Sequence, residues 1–220
     1  LDSLYLEYYQ NGLLKVSGNY ARNKPEGSWQ YYFENGNPRS KGILKDNVYT
    51  GVWTFYHENG KISSEGEMLK GLKNGTWKYY FENGNLKSSG GFEKDKREGL
   101  WKYYYEDGTA KAVAEYHNNS GLYQEFFPSG KVKGEGEIEG GMSNGLWKYY
   151  YEDGKLKAEG FEKNGVREGM WKYYHENGKL ASEGVYQQGF TDGSWKYYHD
   201  NGTLSSEGVE KEGKKEGYWK

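Results

Sequence analysis

Gly169-Met170-Trp171-Lys172-Tyr173-Tyr174-His175-Glu176-Asn177-Gly178-Lys179-Leu180-Ala181-Ser182-Glu183-Gly184 returns 24 residues later as Gly193-Ser194-Trp195-Lys196-Tyr197-Tyr198-His199-Asp200-Asn201-Gly202-Thr203-Leu204-Ser205-Ser206-Glu207-Gly208. Asn177-Gly178 and Asn201-Gly202 take the positive φ angles of tight turns at little cost, which is the strongest short-range signal for a β-hairpin. In the flanking run Trp171, Tyr173 and His175 alternate with Lys172, Tyr174 and Glu176, the two-residue period of a strand. Each repeat therefore reads as one hairpin with an apolar face and a mixed face.

Working outward, the anchors are Tyr5, Trp29, Trp53, Trp77, Trp101, Tyr123, Trp147, Trp171 and Trp195, which lead nine hairpins, and Trp219, which leads a truncated tenth. The step is 24 residues throughout except from Trp101 to Tyr123, where it is 22. This periodicity predicts an all-β fold: a single repeat domain over residues 1–220, an elongated single-sheet array of antiparallel hairpins forming a curved or twisted ribbon. Two strands per repeat give a rise of roughly 10 Å. With Asp153-Gly154 as a two-residue turn, Trp147 faces Gly160, Tyr149 faces Ala158 and Lys148 faces Glu159. A three-residue turn with a glycine bulge would slip those partners by one.

Composition agrees with a thin, aromatic core. The chain has 8 Trp, 24 Tyr and 8 Phe beside 34 Gly, although its mean hydropathy is −1.13, so the aromatic rings must supply the buried apolar area. Thirty basic and 32 acidic residues alternate along the chain, which argues against nucleic acid and against direct membrane binding, since both need clustered Lys and Arg. No cysteine is present, which excludes disulfides and thiolate metal sites. The compartment stays open: a cytoplasmic protein, or one exported to the cell envelope with a removed signal sequence.

The string Gly-x-Trp-Lys-Tyr-Tyr-x-Glu-Asn-Gly-Lys-Leu-x-x-Glu-Gly resembles the bacterial variant of the MORN repeat, often associated with YwqK-type antitoxins. The resemblance covers essentially the whole chain. It implies hairpin repeats and a non-catalytic protein-interaction scaffold with a protein partner, antitoxin-like or part of a cell-envelope complex. It implies no cofactor. The choline-binding repeats of bacterial surface proteins are also similar, but their period is nearer 20 residues. They keep open a second reading, a carbohydrate or cell-wall module with aromatic platforms between hairpins.

His57, His175 and His199 share one slot four residues after the anchor, where other repeats carry Phe33, Phe81, Tyr105 or Tyr151, so they read as aromatic fillers and not as metal ligands. Carboxylates recur identically in every repeat, which gives no unique pair for acid–base chemistry. Two features point to a binding surface. One is the mixed-face aromatic ladder that includes Tyr104, Phe126, Tyr150 and Tyr174, which forms either half of the core or a row of interface anchors. The other is the irregular repeat, with Tyr123 for Trp, Glu125 for Tyr and Ala114 for Gly. Its two-residue deletion is expected in the connecting turn at 116–120, and Glu125 is expected to be exposed or held by a basic group.

Overall fold

The computed structural model describes residues 3–220, all-β, with no helix among them. The chain divides into two compact units, Leu1–Ala110 and Lys111–Lys220. The division falls inside the irregular repeat.

The first unit holds β1 (Ser3–Tyr8), β2 (Leu14–Ala21), β3 (Lys24–Tyr32), β4 (Pro38–Lys45), β5 (Val48–Tyr56), β6 (Ile62–Leu69), β7 (Leu72–Tyr80), β8 (Leu86–Glu93) and β9 (Lys96–Tyr104). Each strand pairs antiparallel with the next, so this unit is one meander. The second unit holds β10 (Ala110–His117), β11 (Ser120–Phe126), β12 (Val132–Glu139), β13 (Met142–Tyr150), β14 (Leu156–Lys163), β15 (Val166–Tyr174), β16 (Leu180–Gln187), β17 (Phe190–Tyr198), β18 (Leu204–Lys211) and β19 (Lys214–Glu216). The same antiparallel succession runs through it.

The hairpin turns combine the two geometries left open by the sequence. Gly154 N–H donates to Tyr151 O at 2.9 Å and Tyr151 N–H to Lys155 O at 2.8 Å, with Gly154 at φ +90°. That is a three-residue turn closed by a glycine bulge. A register shift between Tyr149 and Tyr150 then restores the expected pairs, Trp147 with Gly160, Tyr149 with Ala158 and Lys148 with Glu159. Asp153 Oδ1 also accepts the Lys155 N–H at 2.9 Å, which fixes the turn from within. Asn side chains at this position add a second bond: Asn59 Nδ2 donates to Glu82 O and Asn177 Nδ2 to Asp200 O, each in the next turn.

The core is a line of rings. In the first unit Trp29, Tyr31, Trp53, Phe55, Trp77, Tyr79, Trp101 and Tyr103 follow one another at centroid separations of 6.0 to 6.4 Å. In the second, Tyr123, Trp147, Tyr149, Trp171, Tyr173, Trp195, Tyr197 and Trp219 do the same at 5.9 to 6.3 Å. Trp53 and Trp171 are fully buried.

Glycine makes room for the indoles. A Cβ on Gly18, Gly42, Gly66, Gly90, Gly136, Gly160, Gly184 or Gly208 would lie 2.2 to 2.5 Å from a Trp ring, which no side chain tolerates. The indole over Gly160 is that of Trp171 in the following repeat, and Trp147, although paired with Gly160 in register, covers Gly136. Each indole thus locks its own hairpin onto the preceding one.

A second device completes the lock. In β7, Gly75 and Thr76 stand between Trp77, opposite Gly66, and Asn74, opposite Glu67, so two residues bulge from the ladder. Gly75 takes φ +65°, and the Trp77 Nε1–H donates to the Glu67 carbonyl at 3.0 Å. Trp147 and Trp171 donate in the same way to Glu137 and Phe161 at 2.8 and 3.0 Å.

The irregular repeat differs here, and not in its turn as its sequence suggests. Asn118 and Asn119 form an intact two-residue turn at φ 52° and 71°, and pairing runs without a shift from His117–Ser120 to Ala112–Glu125. The missing two residues are the bulge. Gly121 does not adopt a positive φ; it is required because a Cβ there would lie 1.9 Å from the Glu115 carbonyl oxygen. Ala114 and Tyr123 are directly paired, so a methyl replaces glycine where a phenol replaces the indole. The two departures compensate one another.

Candidate interaction surface

The two faces of the hairpins differ in how much of themselves they leave open. On the Trp face, side chains from the start of β5, β7, β9, β15 and β19 lie over the indoles. The Tyr49 ring sits 4.2 Å from that of Trp53, and the cations of Lys73, Arg97, Arg167 and Lys215 stand 4.0 to 5.0 Å from Trp77, Trp101, Trp171 and Trp219. In the second unit this face also carries a polar network. Buried Glu162 accepts from Ser143 Oγ and from Tyr149 Oη at 2.8 Å, and Tyr173 and Tyr186 share a hydrogen bond at 2.9 Å. Burial, followed by the hydrogen bond to the Glu162 carboxylate, raises the Tyr149 pKa well above the ordinary phenol value. The Trp face is closed by its own residues.

The opposite, outer face is built in rows that cross the strands. The first is the tyrosine ladder. Its rings are half-buried, and Tyr80, Tyr150 and Tyr174 donate their hydroxyls to Glu65, Glu135 and Glu159 at 2.6 to 2.7 Å. Burial first and the carboxylate second push these three phenols up to about 12. Glu135 is held below its usual range by Tyr150 and Gln124. The rings are rigid platforms with one edge open, intermediate between the two alternatives that the sequence left.

The second row is charged. In the second unit Glu135, Lys148, Glu159, Lys172, Glu183, Lys196 and Glu207 are successive cross-strand partners, so the sign alternates at every strand. The third row is apolar at its centre: Leu146 pairs with Phe161, and Met170 with Val185. A shallow groove of about 230 Å³ runs between these rows, lined by Leu146, Lys148, Glu159, Met170 and Lys172.

The candidate residues fall in different places. Phe126, Tyr150 and Tyr174 belong to the outer-face ladder of the second unit, all half-buried. Tyr123 and Glu125 lie on the Trp face, Tyr123 with its ring 6.0 Å from Trp147. Glu125 is half-buried and ion-paired with Lys133 at 3.2 Å, as the cost of a lone carboxylate there requires. Tyr104 lies in β9 of the first unit. The quartet Leu146, Phe161, Met170 and Val185 escapes the repeat pattern, because its two slots vary. The slot before the anchor is also apolar at Leu4, Val52, Leu100 and Leu122 but polar at Ser28 and Thr76, and only the register shows where two apolar slots meet. Its signal becomes visible only once the register is known.

The histidine slot has a bonding role besides filling. His57 Nε2–H donates to Tyr80 O at 3.1 Å and His175 Nε2–H to Tyr198 O at 2.9 Å, where Tyr151 Oη makes the same bond to Tyr174 O at 2.7 Å. No cluster of three metal-ligating side chains exists among the described residues.

Residues 25–46, 49–70, 73–94, 97–118, 120–139, 143–164, 167–188 and 191–209 each match the family model described as MORN repeat variant. The shortest interior match, 120–139, is the repeat that lacks the bulge. No curated protein matches the chain. Among solved structures, the chain is similar to a mutant of S. aureus TarM in complex with Fondaparinux, alpha-GlcNAc-glycerol and UDP. The identity is 13% and the TM-score 0.32, over 42% of this chain and 19% of that one. A second TarM crystal structure gives 16% identity and a TM-score of 0.31, over 43% and 18%. The chain thus spans about a fifth of the length of those proteins, and likeness at that level carries no argument about function.

Proposed function

The chain belongs to the MORN repeat variant family, and from that premise we propose that it is a non-catalytic protein-interaction scaffold that binds through the outer face of Lys111–Lys220. The observation that carries this reading is the contrast between the faces. The Trp face is covered by its own cations and tyrosines, whereas the outer face sets rigid, half-open tyrosines beside charges and exposed aliphatic groups, the composition of a protein interface. The fit to a glycan is poorer, because the indoles that would serve as sugar platforms are buried under the residues of their own repeats. An antitoxin-like role or a place in a cell-envelope complex, both implied by the resemblance, would be forms of this scaffold function.

The test is capture on the immobilised full chain, followed by calorimetry with the purified captured protein. Replacing Tyr150 and Tyr174 by Ser should weaken binding at least tenfold, since each removes a rigid aromatic anchor. Unchanged affinity would refute the surface assignment.

A further inference from the structure

We propose that the outer face of β13–β16 is the interface of a two-fold homodimer, so that the protein it receives is a second copy of this chain. The proposal rests on the reading of that face as a protein-binding surface and names its occupant.

Three observations carry it. The first is the apolar quartet. Leu146, Met170 and Phe161 are 67%, 55% and 42% exposed, and with Val185 they form two adjacent apolar pairs, Leu146–Phe161 and Met170–Val185. Of the equivalent pairs in the first unit, Ser28–Ile43 and Val52–Glu67 have one apolar member each and Thr76–Gly91 has none, so the repeat itself does not demand an apolar row. A contiguous apolar patch of this kind on one sheet face marks a surface meant to be covered.

The second is the charge row beside it. Its alternation, Glu135, Lys148, Glu159, Lys172, Glu183, Lys196, is unbroken from β12 to β17, where β10 and β11 have Val113 with Gln124 and the first unit has Gln30 with Lys41 and Thr54 with Glu65. A strictly alternating row is complementary to itself when turned about an axis that lies midway between two neighbouring charges.

The third is that both patterns share one such axis. A two-fold laid along the strands between β14 and β15 carries β14 onto β15 and β13 onto β16 of the second copy. It sets Leu146 against Val185, and it sets Phe161 against the Gly169–Met170 bulge of β15, where Met170 lies level with it through Val185 and Glu168 is the in-sheet partner of Phe161. It also sets Glu159 against Lys172, Lys148 against Glu183 and Glu135 against Lys196, opposite charges throughout. The interface is isologous, as a closed dimer needs, and sheet faces stack in this way in sandwiches. Three rows across the six strands β12–β17 span about 30 by 20 Å, or roughly 1,200 Å² in total for the two copies, at the lower end of stable interfaces.

The experiment is sedimentation equilibrium of the full chain, with Lys172→Glu and Glu159→Lys alone and mixed. Wild type should be dimeric. Each variant alone places like charges at two symmetric contacts and should raise the dimer dissociation constant at least tenfold. The equimolar mixture should dimerise again, because Glu at 172 of one chain meets Lys at 159 of the other. Glu159 also accepts from Tyr174, so folding of both variants is checked by thermal melts. Met170→Glu, at an exposed position, gives a second route to the same loss without touching that bond.

A wild type that stays monomeric at its highest soluble concentration overturns the proposal. So does a dimer that survives Met170→Glu, or swapped variants that fail to recover on mixing. If the wild type is monomeric and a captured protein still loses affinity on changing Tyr150 and Tyr174, the homodimer fails and the scaffold reading stands.

Discussion

Replacing Gly160 by Ala tests the lock between repeats, and its magnitude follows from distances around Trp171. The new Cβ would lie 2.3, 2.4 and 2.5 Å from Trp171 Cδ2, Cε2 and Cγ. Carbon contacts settle near 3.5 to 4.0 Å, so the indole must retreat by more than about 1 Å. It has nowhere to go, since it is fully buried between Tyr149 and Tyr173, each with its ring 6.1 Å away. Overpacking costs about 1 to 3 kcal/mol, and displacing Nε1 from the Phe161 carbonyl adds about 1 kcal/mol. A loss of roughly 3 kcal/mol is expected. Trp171→Tyr alone should cost about 2 to 3 kcal/mol, by removing ring area and leaving a gap over Gly160. The double variant recreates the Ala114–Tyr123 pair that the chain already uses, so its cost should fall 1 to 3 kcal/mol short of the sum. Urea unfolding followed by both circular dichroism and fluorescence gives the four stabilities and checks that the two probes coincide. Additivity within about 0.5 kcal/mol would refute the pairing of methyl with phenol and of glycine with indole.

The reverse change follows the same rule: Tyr123→Trp should lower the melting temperature by driving an indole into the Ala114 methyl, and Ala114→Gly in the same chain should recover it. Gly121→Ala should destabilise more than Gly75→Ala in chemical denaturation. The first meets a backbone oxygen at 1.9 Å, whereas the second has 3.5 Å to its nearest neighbour and bears only the strain of φ +65°. Alkaline titration at 295 nm should show a set of late phenols including Tyr80, Tyr150 and Tyr174. Their folded pKa of about 12 exceeds the ordinary phenol value of 10.0, so their contribution to stability is full below pH 10 and is lost as pH rises through 12. Titration of every tyrosine near pH 10 with the fold intact would contradict this. Glu135 shifts the other way, so its contribution is present above the ordinary glutamate value of 4.5 and should fade on acidification below it, an effect that Tyr150→Phe should reduce.

Much of the fold can be read from the period alone. Trp, Gly and Asn-Gly at fixed spacing determine the strands, their faces and the Lys–Glu partners, because these depend only on local turn chemistry and two-residue alternation. What the period leaves open depends on three strands at once. A step of 22 residues cannot say whether a turn or a bulge is shortened, and here the turn Asn118-Asn119 survives while the bulge does not. Register pairs Gly160 with Trp147 on one side and Trp171 on the other, and only the direction in which the indoles lean assigns Gly160 to Trp171. The tyrosine ladder was legible as a row, yet its exposure was not, since that depends on the hydroxyl bonds to Glu135 and Glu159. The apolar quartet was hidden for the same reason: Leu146 and Phe161 are fifteen residues apart and become neighbours only through the register.

The most direct test of the interaction surface is hydroxyl-radical footprinting of the full chain, as dilute monomer and in complex, read residue by residue. Binding through the outer face predicts protection of Leu146, Phe161, Met170, Tyr150 and Tyr174 on complex formation, with Trp171 and Trp195 unreactive in both states. Protection confined to the Trp face or to the first unit, with Met170 equally reactive in both states, would contradict the account.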